Sequence, residues 1–196
     1  MSAGEAAPAA GETQVPGEAR VPGESRAAAE GVVQAWLAGS GLSHDLGARA
    51  GEYVVQLPGE TKLSTTASLL VTDQGLSVSA FVVRRPDENH EAVYRWLLSR
   101  NARLPGIAFA LDSLGDVYLV GRLPLVGVTE QTLDLLLGAV LGTADTSFND
   151  LLAMGFLESM KKEWRWRLSR GESTRNLDAF RHLLAEPDDS PASPPH

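Results

Sequence analysis

The chain has 196 residues, of which 43% are hydrophobic and 21% charged, with a formal net charge of −8 and no cysteine. The balance fits one globular domain with tails, and the missing thiols exclude disulfides, thiolate catalysis and cysteine–zinc sites. The acidic excess argues against a protein built to coat nucleic acid, and no apolar run reaches the roughly 18–20 residues that cross a bilayer.

Residues 1–26 are rich in Ala, Gly, Pro and Glu and carry "VPGEAR" followed by "VPGESR". Such a segment has too few large side chains to offset the entropy of ordering, so it reads as a disordered tail. It also lacks the basic start and apolar centre of a secretory signal. The acidic, proline-rich end "AEPDDSPASPPH", 185–196, reads in the same way. Residues 27–184 hold 15 Lys/Arg and 18 Asp/Glu, close to charge balance. The expected location is the cytoplasm.

Within 27–184, "AAAEGVVQAWLAGS" puts Val32, Val33, Trp36 and Leu37 on one helical face, with Gly39 and Gly41 ending it. "EYVVQL" alternates, and "PGE" at 58–60 turns the chain. "LSTTASLLVT" sends Leu63, Thr65, Ala67, Leu69 and Val71 one way. After the "DQG" turn, "LSVSAFVV" sends Leu76, Val78, Ala80 and Val82 to the same side. The three strands predict an antiparallel meander with one apolar face and one Ser/Thr-rich face.

Pro86 ends the third strand, and Asp87 is positioned to cap a helix over "ENHEAVYRWLLSRN". Val93, Trp96, Leu97 and Arg100 lie on one side of it, with Tyr94 and Leu98 adjoining. An apolar arc this broad is expected to touch both its own sheet and a partner. "PGIAFALD" and "DVYLVGRL" then form a hairpin through "SLG", with Ile107, Phe109 and Leu111 facing one way and Gly115 able to supply a positive φ. Thr129 caps "EQTLDLLLGAVLG". A second helical run starts near Asp145 and passes residue 160, and "TRNLDAFRHLL" forms a short last helix. Strands joined by short turns, with helices grouped elsewhere, predict an α+β fold in α-βββ-α-ββ-α order with extra C-terminal helices.

The most unusual string is "KKEWRWRLSR", 161–170. Phe148, Leu152, Phe156, Met160, Trp164 and Leu168 recur every fourth residue, which gives Trp164 a place in a packing stripe. Glu158–Lys162 and Glu163–Arg167 are i,i+4 pairs, and cations suit a helix C-terminus. Trp166 points about 200° from Trp164 and is left to meet the C-terminal segment, a subunit or partner, or nucleic acid. Base stacking among Lys161, Lys162, Arg165, Trp166 and Arg167 is the alternative reading, a nucleic-acid-binding regulator.

Other candidates have simpler readings. His44, His90, His182 and His196 show no metal-ligand spacing. Asp112 and Asp116 flank a hairpin loop and read as turn-forming residues rather than an acid–base pair. "GLSHDLG" is no triad, because neighbours in sequence cannot make one by adjacency. "RRPDENH" reads as a strand-to-helix turn with local ion pairs, and no phosphate loop is present. The residues therefore call for no metal, cofactor or catalytic group. They leave a surface: a smooth Ser/Thr sheet face, an apolar helix beside it, and strand edges to which an extended peptide could add. A small-ligand sensor with a pocket between sheet and helices is a further alternative.

"VVQLPGETKLSTTASLLV", "SVSAFVVRRPDENHEAVYRWLLSRN", "GIAFALDSLGDVYLVGRLPL", "SFNDLLAMGFLESMKKEWRWR" and "RGESTRNLDAFRHLL" together resemble the bacterial YbjN domain family, from about residue 30 to 184. The resemblance implies the fold of type III secretion chaperones, a homodimer, and a chaperone-like or regulatory role in binding a protein partner without catalysis. It points to residues 87–101 as the dimer or client surface. The candidate contacts are Tyr94, Trp96, Leu97 and Leu98, with Trp166 added from its own position. The segment "RGESTRNLDAFRHLL" is an addition to a minimal chaperone and could cover client surface.

Overall fold

The structure, a computed structural model, describes residues 22–184. The disorder expected for 1–21 and 185–196 lies outside them. The first helix, α1 (Pro22–Ser40), begins earlier than the expected boundary at 27, and Arg26 within it pairs with Glu30 at 2.8 Å. Proline is well placed at a first helical position, where its missing N–H costs nothing. Gly41, at φ 69°, ends the helix.

Six strands follow: β1 (His44–Leu46), β2 (Glu52–Pro58), β3 (Ser64–Thr72), β4 (Gly75–Val83), β5 (Ile107–Leu111) and β6 (Val117–Leu123). All pair antiparallel, in the order β1-β2-β3-β4-β6-β5. The fold is α+β, as the residue pattern predicts. β1 was not expected. It is the "HDL" string, three exposed residues laid along β2.

The period-2 pattern decides which face is inside. Val55, Ala67, Leu69, Val71, Val78, Ala80, Val82 and Leu119 are all within 1% of full burial. Over them pack α1 and the long α3 (Glu130–Gly155), while α2 (His90–Asn101) lies against β5 and α3. Leu133, Leu137, Val140, Ala144 and Leu151 form the inward stripe of α3, whose N-terminus is closed by a capping box between Thr129 and Thr132. Gly121 on β6 lets this layer close: a Cβ there would sit 3.0 Å from Leu136 Cδ1 and from Val78 Cγ1.

Three sequence expectations need correction. Leu63 is 84% exposed rather than inward, because β3 starts one residue later. Asp145 Oδ1 accepts from the Thr61 and Lys62 amides at 2.8 and 2.9 Å, so the turn before β3 is pinned to α3. Leu111 is 44% exposed at the end of β5. The helical break expected after Gly142 is absent. α3 runs on to Gly155, and the chain bends at Phe156 (φ −142°) into α4 (Leu157–Arg170). The stripe of every fourth residue therefore crosses a bend, and Leu168, at its far end, is 58% exposed.

The bend has a tertiary cause. The Gly155 carbonyl accepts from the Asp87 and Glu88 amides at 2.9 and 3.2 Å. Pro86 lies so close that a Cβ on Gly155 would be 2.9 Å from its own Cβ. Glu88 then accepts from the Glu158 amide at 2.8 Å, serving as an external cap for α4. Beyond the bend, Met160, Leu177, Phe180 and Leu184 make a small second cluster that includes Trp164. Leu177 and Phe180 come from a 3-10 turn, Arg175–Phe180, and Leu184 from the four-residue helix α5 (Arg181–Leu184).

Candidate functional site

The helix α2 is placed by the same strand-to-helix link. Asp87 does not cap it. Its carboxylate takes the Arg84 guanidinium at 2.7 Å and the Ser159 hydroxyl at 2.7 Å, which hold it well below the usual carboxylate range, at about 2. The residue before the helix is Asn89, in the left-handed region at φ 53°, and its amide donates to the Met154 carbonyl at 3.0 Å. Asparagine tolerates that conformation better than most residues.

Val93 and Leu97 turn inward from α2. Leu97, expected at the partner surface, is 4% exposed and belongs to the core. Trp96 is part-buried, 6.0 Å from the Phe109 ring, with the Arg100 guanidinium 4.2 Å from the centre of its own ring. Arg100 is in turn held by Asp150 at 3.0 Å. Tyr94 is part-buried, whereas Leu98 is 70% exposed. Tyr94 and Leu98 line a shallow, mainly apolar hollow with Glu91, Arg95 and Ser99. Trp96 lines the adjoining depression with His90, Ala92 and Met154. The helix thus offers a small apolar surface crossed by the Glu91–Arg95 ion pair, 2.7 Å long.

The sheet edge beside α2 is closed. Asn101, the last residue of α2, donates its side-chain amide to the Phe109 carbonyl at 3.1 Å and accepts from the Phe109 amide at 2.7 Å. One side chain therefore takes both outward-facing groups at the middle of β5, as a neighbouring strand would. The other edge, β1, is only three residues long. Both are recognised ways of blunting a strand edge, and they remove the support for peptide addition there.

The second face of the sheet carries only two buried residues, Glu52 and Gly75. Register aligns Val54, Ser68, Ser79, Val120 and Ala108 in one row across five strands. The row on one side is Glu52, Leu70, Ser77 and Arg122. On the other side Phe81 faces Tyr118, ring to edge at 5.6 Å. The Ser/Thr-rich face read from the sequence is there, with more valine, alanine and aromatic surface than the meander alone suggested. Lys62 borders it. Its ammonium donates to the Phe81 carbonyl, and burial pushes it down to about 8.

Glu52 is the anchored charge of this face. The Arg49 guanidinium, with the Ser68 hydroxyl at 2.6 Å, holds its carboxyl at about 2. The folded value lies below the ordinary 4.5, so the contribution is complete above about pH 4.5 and is lost as pH falls towards about 2. Glu52→Gln is expected to flatten part of the acid loss of melting temperature across that window. The remainder stays with Asp87, which titrates in the same range, and with Asp145 and Glu158, whose hydrogen bonds to the 61–62 backbone and to Lys161 also hold them below their ordinary values. Thermal melts of both chains at several acidic pH values check this.

Trp166 stands apart and does not line the hollow on α2. It is 48% exposed, with the Arg170 guanidinium 5.2 Å from its ring, and it does not belong to the cluster around Trp164. Several neighbouring cations are engaged: Lys161 with Glu158 at 3.0 Å, and Arg167 with Glu163 at 2.7 Å. Asp112 accepts from the Leu114 and Asp116 amides, both at 2.9 Å, and Asp116 accepts from the Arg85 amide at 2.7 Å, so both carboxylates build the turn. Among the described residues no three His, Asp or Glu side chains gather as a metal site would require. No helix there is long and apolar enough to cross a membrane. Asn101 and β1 were missed by sequence reading, since neither a lone Asn nor a three-residue strand has a periodic signal.

Comparison with known proteins agrees with the residue-level resemblance. The chain is 51% identical over 140 residues to an uncharacterized protein of Mycobacterium leprae, covering 71% of this chain and 76% of that one. It is 53% identical over 130 residues to an uncharacterized protein of Mycobacterium tuberculosis, covering 66% and 71%. Among solved structures, a chain in the crystal structure of the ExsC-ExsE complex is similar at 20% identity and a TM-score of 0.49, covering 63% of this chain and 93% of that one. Residues 31–153 match the YbjN family, described as "Putative bacterial sensory transduction regulator". The match ends inside α3, so α4 and the second hydrophobic cluster lie beyond it. With well over half its length matched, this chain belongs to the YbjN family.

Proposed function

We propose that the protein is a non-enzymatic, chaperone-like regulator of the cytoplasm, a homodimer that captures a segment of another polypeptide on α2. The observation that carries this reading is Leu98, a large apolar side chain 70% exposed beside Tyr94 in a mainly apolar hollow on α2. An apolar side chain seated there would cover both residues, while Glu91 and Arg95 at the rim meet the partner's polar groups. The family's description as a signalling regulator supports a protein partner. With both sheet edges blunted, side-chain contact on the helix replaces strand addition as the mode of capture. Trp166 offers a second exposed aromatic on α4.

Leu98→Glu tests the proposal. The residue is exposed, so the melting temperature should hold while capture of the partner from native lysate falls at least tenfold, about 1.4 kcal/mol or more. A Leu98→Glu chain that kept every partner of the parent protein would refute the α2 surface. Because Lys161 and Arg167 near Trp166 are held by Glu158 and Glu163, no retardation of nucleic acid is expected at low salt. A shift on a native gel that weakens steeply as salt rises would favour the nucleic-acid reading instead.

A further inference from the structure

The geometry points to the open sheet face as the seat of a second copy of this chain, packed face to face. This deepens the proposed homodimer by moving its interface away from α2, which is then left free for the partner. The central row, Val54, Ser68, Ser79 and Val120, is small and uncharged, so two such faces can approach as the sheets of a sandwich do, about 10 Å apart.

The face is self-complementary under a two-fold axis lying along the strands between β3 and β4. That axis sets β3 over the partner's β4 and β2 over its β6. At one outer level Leu70 then lies over Ser77, and at the other Phe81 lies over Thr66, large against small at both levels. Ser68 meets Ser79 between them. Arg122, which makes no ion pair among the described residues, is carried from the β6 side to the β2 side, where it can join the Arg49–Glu52 pair. Area agrees as well. The four strands paired in this way, β2, β3, β4 and β6, lie about 4.8 Å apart and average about eight residues of roughly 3.4 Å, which gives about 1,000 Å² over both copies, the size at which a contact becomes specific. A second copy fits better than an extended peptide, because the contact spans four strands and both strand edges are blunted.

Light scattering on the whole chain is expected to show a dimer. Ser79→Arg places two unpaired charges in the middle of the contact and should weaken the dimer at least about a hundredfold, leaving a folded monomer by circular dichroism. Leu98→Glu should remain dimeric. A monomeric parent chain, a dimeric Ser79→Arg chain, or a monomeric Leu98→Glu chain would each overturn the assignment. If Ser79→Arg fails to fold, Ser79→Cys gives the protein its only thiol. Alkylation of that thiol should slow at least tenfold as protein concentration rises through dimer formation, and a constant rate would overturn the proposal. Loss of partner capture by Leu98→Glu is read separately, so each surface can fail without the other.

Discussion

A Leu119→Ala chain is expected to lose about 3 kcal/mol of folding stability. Leu119 is fully buried on β6, directly opposite Ala80 of β4 on one side and Phe109 of β5 on the other. The helix α3 covers the same face. Ala80 is too small to fill the space left by truncation, and the sheet fixes the backbone on both sides, so the cavity can close only in part. With a urea dependence of about 2 kcal/mol per molar, the unfolding midpoint should fall by roughly 1.5 M. A fall below about 0.5 M would mean that the α3–sheet layer packs less tightly than described.

Gly75→Ala is expected to cost about 2–3 kcal/mol, a large effect for one methyl group. Gly75 closes the β3–β4 hairpin at φ 137°, outside the range that L side chains readily adopt. A Cβ there would also overlap the Leu123 carbonyl oxygen at the end of β6, which is backbone and cannot swing away. Gly171, at the end of α4, makes the control. Its φ of 66° is also left-handed, but nothing lies near a Cβ built on it. Gly171→Ala should therefore cost only about 1 kcal/mol. Similar melting temperatures for the two variants would show that φ alone, not the collision with β6, sets the cost at Gly75.

What could be read from the residues follows from what makes local signals. The strands β2, β3 and β4 were legible because alternation continues over seven to nine residues with turn residues between them. Leu76, Val78, Ala80 and Val82 face inward as their spacing requires. The α3–α4 boundary was misplaced because its cause is tertiary. Gly142 looks like a stop, yet Val140 and Ala144 on either side are buried, and their packing carries the helix through. Phe156 looks like one more residue in a stripe, yet the link from β4 occupies the Gly155 carbonyl and ends the hydrogen-bond ladder. The α2 surface was partly legible. Periodicity named Tyr94, Trp96, Leu97 and Leu98 together, and only packing separates the buried Leu97 from the exposed Leu98.

The amide of Asn101 carries one last consequence. Slow hydrolysis to a carboxylate would leave an acceptor facing the Phe109 carbonyl oxygen, replacing an attraction with a repulsion and freeing a strand to bond elsewhere. Aged preparations should thus gain one negative charge and, with it, a tendency to join end to end through β5. Solubility over time would depend on the chemistry of a single side chain far from any ligand.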